Sequence, residues 1–457
     1  MHRFQILGFN PCESLLRHTP QQLRSFLRRM KEFGMNSIII HYDYGWKRYQ
    51  KIIEEECAAA NIEITLMVFG PRTFFSLTDW KKEYFAKNTD GEVFTPEPEC
   101  ETHPCRFSPE GVEAFRDGAE KWLLSIPFSI KRVHMRAGDG YSFCRCPKCR
   151  QLPEHERWQP FIEEFVKAAK KLRPELKLET DLYIRRYHIP ESPEIFNELD
   201  RIMFDTFFRH VFYPIGSKND VANKFCMQYI APDGYADCDT PNEYYLKRLE
   251  EWSKAFPGKI YIHENVMCQG FLGTFQHNTG VYKQDLNTFE KLELGGICYE
   301  AYEPFFNNFA PLFETLANKK EYHPDILEKI LPQTSMRIFC DDAAFPLGKY
   351  LDSKAAQHAE FFRRHLMSPD AANYRNFVNF VMQDETLTDP LLVGYGCARH
   401  LYCNHKAKFK KLSDEAESFI NSRKLWDFME KIPLTEDPRQ ICKNIIYELT
   451  EKIYDIQ

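Results

Sequence analysis

Ser37-Ile-Ile-Ile-His-Tyr42 is almost wholly apolar, the composition of a strand buried on both faces, as in a parallel sheet covered by helices. Just before it, residues 20–33 place Leu23, Phe26, Leu27 and Met30 at helical spacing and stop at Gly34. After it, Ile62 to Phe69 is a further β-like run, and Phe4 to Phe9 precedes the helix as the first. The alternation continues with strands at Val133 to Met135, Leu178 to Ile184, Arg201 to Thr206, Lys259 to Asn265 and Ile297 to Glu300. Helical segments begin at Pro109 and span Phe161 to Leu172, 241–255 and 282–293. Eight strand–helix pairs in about 310 residues predict an α/β fold, a (β/α)8 TIM barrel over residues 1–318. Beyond it, Ala355 to Leu366 and Asp414 to Met429 are helical stretches without convincing strands, so 319–457 is expected to form a smaller helical domain.

The chain has 457 residues, with 60 Lys and Arg against 66 Asp and Glu, a net charge of −6. Acidic and basic residues are interspersed, which argues against nucleic acid or an anionic membrane as partner. No apolar run approaches the roughly 20 residues of a membrane helix. The N-terminal residues show no signal-peptide pattern, so the 15 cysteines read as reduced thiols with a metal site among them, and the cytoplasm is the expected compartment. A homo-oligomer is left open.

In such a barrel the chemistry sits at the C-terminal ends of the strands. Those ends offer His41 and Asp43, then Arg136 and Asp139, then Arg185 and Arg186. They continue with Asp205, Arg209 and His210, with His263 and Glu264, and with Tyr299, Glu300 and Glu303. Paired carboxylates, one protonated and one ionised, are the machinery of glycoside hydrolysis. Glu264 is expected as nucleophile or ionised stabiliser, and Asp139 as general acid with Glu300 as its competitor. His41, Asp43, Arg136, Tyr141, Arg185, Asp205, His210, His263 and Tyr299 are expected to bind substrate. Arg185 and Arg186 equally suit rim ion pairs, and His263 could serve only to orient Glu264. Aromatic residues make up 15% of the chain. Phe74, Phe75, Tyr141, Phe143, Phe271 and Phe275 on the long loops are candidate sugar-stacking rings.

The stretch Gly138-Asp-Gly-Tyr-Ser-Phe-Cys-Arg-Cys-Pro-Lys-Cys149 adds a second constellation. Cys144, Cys146 and Cys149 need a fourth ligand for tetrahedral zinc, and Cys105 on the preceding loop supplies it, with Cys100 and His103 as rivals. The zinc would be structural; no organic cofactor is expected.

Pro104-Cys-Arg-Phe-Ser-Pro-Glu110, then a helix, then a strand ending before Cys-x-Cys-x-x-Cys, resembles the zinc-cluster retaining β-galactosidases of the large clan of barrel glycosidases. The chain also resembles a family of barrel proteins that includes endo-β-N-acetylglucosaminidases acting on N-glycans. That family shares the Asp-Gly turn before the cysteines, a segment like Cys238-Asp-Thr-Pro-Asn242 and a strand-eight glutamate like Glu300. Where the galactosidases have Asn-Glu this chain has Gly138-Asp139, and where the other family usually has Asn-Asp it again has Gly-Asp. The resemblance covers about residues 5–310 and implies hydrolysis of a β-linked glycan, N-acetylated or acidic among the options, by a retaining mechanism. Two rival readings are a catalytically silent glycan-binding barrel and a metal-assisted hydrolase using His41, Asp43, Asp205 and His263.

Overall fold

A computed structural model describes residues 4–300, apart from 210–212, 219–226, 266–278 and a few single positions, together with parts of 409–454. Eight parallel strands close into a barrel in sequence order. They are β1 (Ile6–Asn10), β2 (Ser37–His41), β3 (Glu63–Phe69), β4 (Arg132–Arg136), β5 (Lys177–Leu182), β6 (Arg201–Asp205), β7 (Ile260–Asn265) and β8 (Gly296–Glu300). The barrel closes where β1 pairs with β8, Asn10 standing opposite Glu300. All eight expected strands are present, with ends shifted by no more than two residues.

The helices of the outer layer are α1 (Pro20–Glu32), α2 (Lys47–Ala60), α3 (Gly70–Ser76), α4 (Pro109–Ser125), α5 (Glu154–Leu172), α6 (Met227–Ile230), α7 (Pro241–Ala255) and α8 (Thr279–Lys291). In α1 the stripe Leu23, Phe26, Leu27 and Met30 is buried against the barrel, and Gly34, at φ 73°, closes its C-terminal end. Two sequence segments singled out by resemblance have local structural jobs. Ser108 accepts from the Gly111 amide at the start of α4. Thr240 caps α7 through the Glu243 amide, while Asn242 donates to the Tyr213 carbonyl at 2.8 Å.

Side-chain direction alternates along each strand. Leu7, Phe9, Ile38, Ile40, Val133, Met135, Phe204, Ile262, Ile297 and Tyr299 face outward into the core shared with the helices. Ile6, Ile39, Met67, Met203, Tyr261 and Cys298 fill the middle of the barrel. Below that layer, Arg132 pairs with Glu179 at 3.1 Å and Glu63 at 3.0 Å, and Tyr261 donates to Glu179 at 3.0 Å. Above it, at the C-terminal mouth, the inward positions are polar.

Most of the expected helical domain at 319–457, including Ala355 to Leu366, lies outside the described residues. Two of its helices are described, α9 (Asp414–Asn421) and α10 (Pro438–Tyr454). Their apolar residues Phe419, Ile445 and Leu449 belong to the same continuous core as the barrel's outer layer, and Arg48 of α2 donates to the Pro433 carbonyl at 3.1 Å.

Candidate active site

The parity that sends Ile39, Met203 and Cys298 inward brings Asn10, His41, Arg136, Asp181, Asp205, His263 and Glu300 to the mouth. Asp205 is fully buried and saturated. It accepts from His263 Nδ1 at 2.9 Å, Asn265 Nδ2 at 2.8 Å and the Phe207 amide at 2.9 Å, and it lies 3.5 Å from Arg136 Nη2. Burial alone would raise its carboxyl, but His263, Arg136 and these donors together hold it below the usual range.

On the far side of His263, Nε2 lies 3.1 Å from Asn10 Nδ2 and 3.4 Å from Glu300 Oε2. Asn10 Oδ1 accepts from the Cys12 amide at 3.0 Å, which fixes its amide so that Nδ2 faces both His263 and Glu300, the latter at 3.1 Å. An amide nitrogen only donates, so the neutral His263 accepts at Nε2 and carries its proton on Nδ1, toward Asp205. The result is a buried chain Asp205–His263–Glu300.

Arg136 is the opposite hub. Its guanidinium lies 3.4 Å from Asp139, 3.4 Å from Asp181 and 3.5 Å from Asp205, and 4.2 Å from the centre of the Tyr183 ring. Burial would lower it, yet these carboxylates hold it well above its ordinary value. His41 stacks on Tyr44 at 5.4 Å. Burial first, then the charge of Arg136, pushes it well below its ordinary value and keeps it neutral. Neither of its ring nitrogens has a hydrogen-bond partner among the described residues.

Three expectations meet a different geometry. Glu264 follows the inward-facing His263 and therefore faces outward, where Arg209 Nη1 holds it at 2.8 Å while Arg209 Nη2 pairs with Asp285 of α8. Burial there raises Glu264 to about 7. It is not brought to the mouth. Tyr299 faces outward for the same reason. Asp43 accepts from the Thr73 hydroxyl at 2.7 Å and the Phe69 amide at 3.2 Å, so it braces the end of β3.

Arg185 likewise reaches away, to the Gln228 carbonyl at 2.8 Å and Glu154 at 3.3 Å. It is the neighbouring Arg186 that is buried near the mouth. His210 lies outside the described residues, as do Glu303, Cys100, Phe271 and Phe275. Asn10 and Asp181 were not anticipated. Asp181 had a signal, since Glu179 and Asp181 alternate with Leu178, Thr180 and Leu182 in a strand buried from Leu178 onward.

Of the ring candidates, Phe74 and Phe75 are wholly buried among Phe115, Trp122, Phe165 and Phe85. Phe143 stacks on His103 at 4.5 Å. Tyr141, 39% exposed, meets Tyr229 edge-on at 4.9 Å, and Tyr229 stacks on Phe208 at 5.6 Å. With Phe207 and Tyr183 these rings form an aromatic wall beside Arg136.

The sulfurs of Cys105, Cys144, Cys146 and Cys149 all lie within 4.8 Å of one another. Cys105 Sγ is 3.9 Å from Cys146 Sγ and 3.7 Å from Cys149 Sγ. Tetrahedral thiolates about 2.3 Å from zinc stand about 3.8 Å apart, so the cluster fits a metal. Backbone amides of Lys87 and Cys149 point at Cys144 and Cys146 sulfurs, each at 3.5 Å. His103 instead contacts the Gly140 carbonyl at 2.5 Å and is no ligand. The cluster anchors the turn that carries Asp139, and Gly140 there has no room for a Cβ, which would meet the Glu101 carbonyl at 2.3 Å. Among the described residues this is the one group of side chains placed to hold a metal. The grouping of His41, Asp43, Asp205 and His263 expected for a metal-assisted hydrolase does not form: Asp43 faces β3.

No helix among the described residues is long and apolar enough to cross a membrane. No family model and no curated protein matches the sequence. Among solved structures, the chain is similar to the PgaB (BpsB) glycoside hydrolase domain of Bordetella bronchiseptica, with 10% identity, 70% of this chain and 99% of that one covered, and a TM-score of 0.43. It is similar also to β-galactosidases from the psychrophilic Marinomonas ef1 (9%, 71% and 61%, TM-score 0.44) and Bacillus circulans sp. alkalophilus (11%, 75% and 56%, TM-score 0.41). The chain thus spans about three fifths of the length of those two galactosidases. The fold stands on its own closed strand order, and the site on its own geometry.

Proposed function

We propose that the barrel mouth hydrolyses a β-linked glycoside with two carboxylates, Glu300 and Asp139. The observation that carries the reading is the Asp205–His263–Glu300 chain. Asp205 fixes the imidazole through Nδ1, and among the described residues Glu300 is the one carboxylate that reaches Nε2, at 3.4 Å. Glu300, held by Asn10 Nδ2 and facing His263 Nε2, is therefore the group best placed to hold and deliver a proton to the leaving oxygen. Asp139, 3.4 Å from the Arg136 guanidinium, serves as nucleophile or as base for water. The acid is thus the competing candidate from the sequence, Asp139 takes the role expected of Glu264, and Glu264 has none in the chemistry. Retention is the outcome the clan resemblance favours. The wall of Tyr141, Phe208 and Tyr229 offers ring faces to the apolar face of a pyranose.

The four-cysteine cluster is proposed to hold one structural zinc. Closed by thiolates, it would supply no Lewis acid to the reaction and would fix the turn bearing Asp139. Residues 319–457 are proposed as a helical appendage to the barrel, and a cytoplasmic location remains the working expectation. Incubation with a panel of aryl β-glycosides and N-glycans tests the reading. Hydrolysis by the wild type, lowered about 10²-fold or more in Asp139→Asn, is expected. Binding without cleavage of any of them would favour the glycan-binding barrel instead.

A further inference from the structure

We infer that Arg186 and Asp181 form a subsite for two neighbouring hydroxyls of a neutral pyranose, an inference that rests on the carbohydrate reading of the mouth. Arg186 is 4% exposed, and Nε, Nη1 and Nη2 all lack a hydrogen-bond partner among the described residues. Asp181 is 2% exposed, and neither of its oxygens accepts a hydrogen bond there; its one close charge is Arg136 at 3.4 Å. Arg186, just past the end of β5, lies within the electrostatic reach of Asp181, Arg136, Asp139 and His103.

A buried guanidinium without partners is strongly unfavourable unless something else satisfies it. The backbone leading to it is also strained: Ile184 and Arg185 have φ of 38° and 53°, a region that a β-branched residue rarely adopts. That double turn sends Arg185 out to Glu154 and Gln228 and returns Arg186 to the interior. Strain of this kind persists where the surrounding structure enforces it, and it clusters at binding sites.

Charge decides what the subsite takes. Arg136 and Arg186 share this neighbourhood with Asp139, Asp181 and Asp205, two basic side chains against three acidic ones, an excess of one negative group. An anionic sugar substituent would meet that excess. A hydroxyl, by contrast, accepts from Arg186 and donates to Asp181 at once, and two adjacent hydroxyls fill both residues.

Binding is measured in the Glu300→Gln background, so that ligand survives, with methyl β-glycosides of glucose, galactose, mannose and N-acetylglucosamine and with methyl glucuronide as the anionic arm. At least one neutral glycoside is expected to bind, about 10–100-fold more weakly once Arg186→Met or Asp181→Asn is added. Arg186→Lys, which keeps the charge with fewer donors, should give an intermediate loss. Arg186→Met should melt no lower than its parent, because it removes an unpaired buried charge. Four results would overturn the inference: no glycoside binding, affinity unmoved by either substitution, a lowered melting temperature with affinity intact, or dependence on Arg186 for the glucuronide alone. Binding without turnover in the wild type would leave this subsite standing and refute the hydrolase reading. Turnover with the subsite variants unimpaired would do the reverse.

Discussion

His263 connects two carboxylates from neighbouring strands, Nδ1 lying 2.9 Å from Asp205 and Nε2 3.4 Å from Glu300. The imidazole is thus oriented from behind by Asp205 and faces Glu300 on its other side. Asp205→Asn removes the carboxylate charge and turns one of its two accepting oxygens into an NH2 group, so either His263 Nδ1–H or the Asn265 and Phe207 donors lose their acceptor. The rate on a cleaved glycoside should fall about 10²-fold or more, with the acidic limb of the pH profile shifted, while KM changes little. Asp205 also contributes to stability. Its folded pKa is depressed, so its contribution is complete above the unfolded value near ~3.9 and is lost as pH falls through the folded one. Thermal melts below about pH 4 should therefore separate Asp205→Asn least from the wild type.

Glu264 gives the opposite pH dependence. Two buried carboxylates, Glu264 and Asp285, share Arg209, and burial first, with Asp285 adding to it, raises Glu264 to about 7. A carboxyl raised on folding holds its proton longer in the folded state, so its contribution is present below the unfolded value near ~4.3 and is lost as pH rises toward 7. Melting temperature against pH should fall across that window in the wild type and flatten in Glu264→Gln.

For the cysteine cluster, purified protein should contain about one zinc per chain. Cys149→Ser, or treatment with a chelator under thiol-modifying conditions, should remove it and lower the melting temperature. Amide exchange should then speed up most at 138–149, the segment the cluster pins. Less than about 0.2 zinc per chain in untreated protein contradicts the assignment.

The aromatic rings divide cleanly. Tyr141→Ala should weaken glycoside binding about 3–10-fold through loss of a ring face and leave the fold unchanged. Phe74→Ala and Phe75→Ala should destabilise the protein by about 3–5 kcal/mol without altering the affinity of the folded fraction.

The barrel was legible because β-branched and apolar runs recur between amphipathic helices, and capping residues such as Thr240 mark helix starts. What the sequence concealed was mostly direction. In a strand buried on both faces, His263 and Glu264 are both polar and adjacent, and only period-two parity tells them apart. Tyr261 and His263 inward with Ile260 and Ile262 outward was readable in Lys259-Ile-Tyr-Ile-His-Glu-Asn265, and it would have turned Glu264 away from the mouth. At Ile184 and Arg185 no such rule helps. Two consecutive left-handed residues exchange the directions of Arg185 and Arg186, and neither residue type announces that conformation.

The most direct test sets Glu300→Gln beside Glu264→Gln on whichever glycoside the wild type cleaves. Both glutamates are buried at the ends of adjacent strands, and only Glu300 faces the mouth. The expected result is a kcat about 10²-fold or more lower for Glu300→Gln and within about threefold of wild type for Glu264→Gln at equal folded fraction. Normal turnover by Glu300→Gln, together with collapse of turnover in Glu264→Gln, would contradict the account.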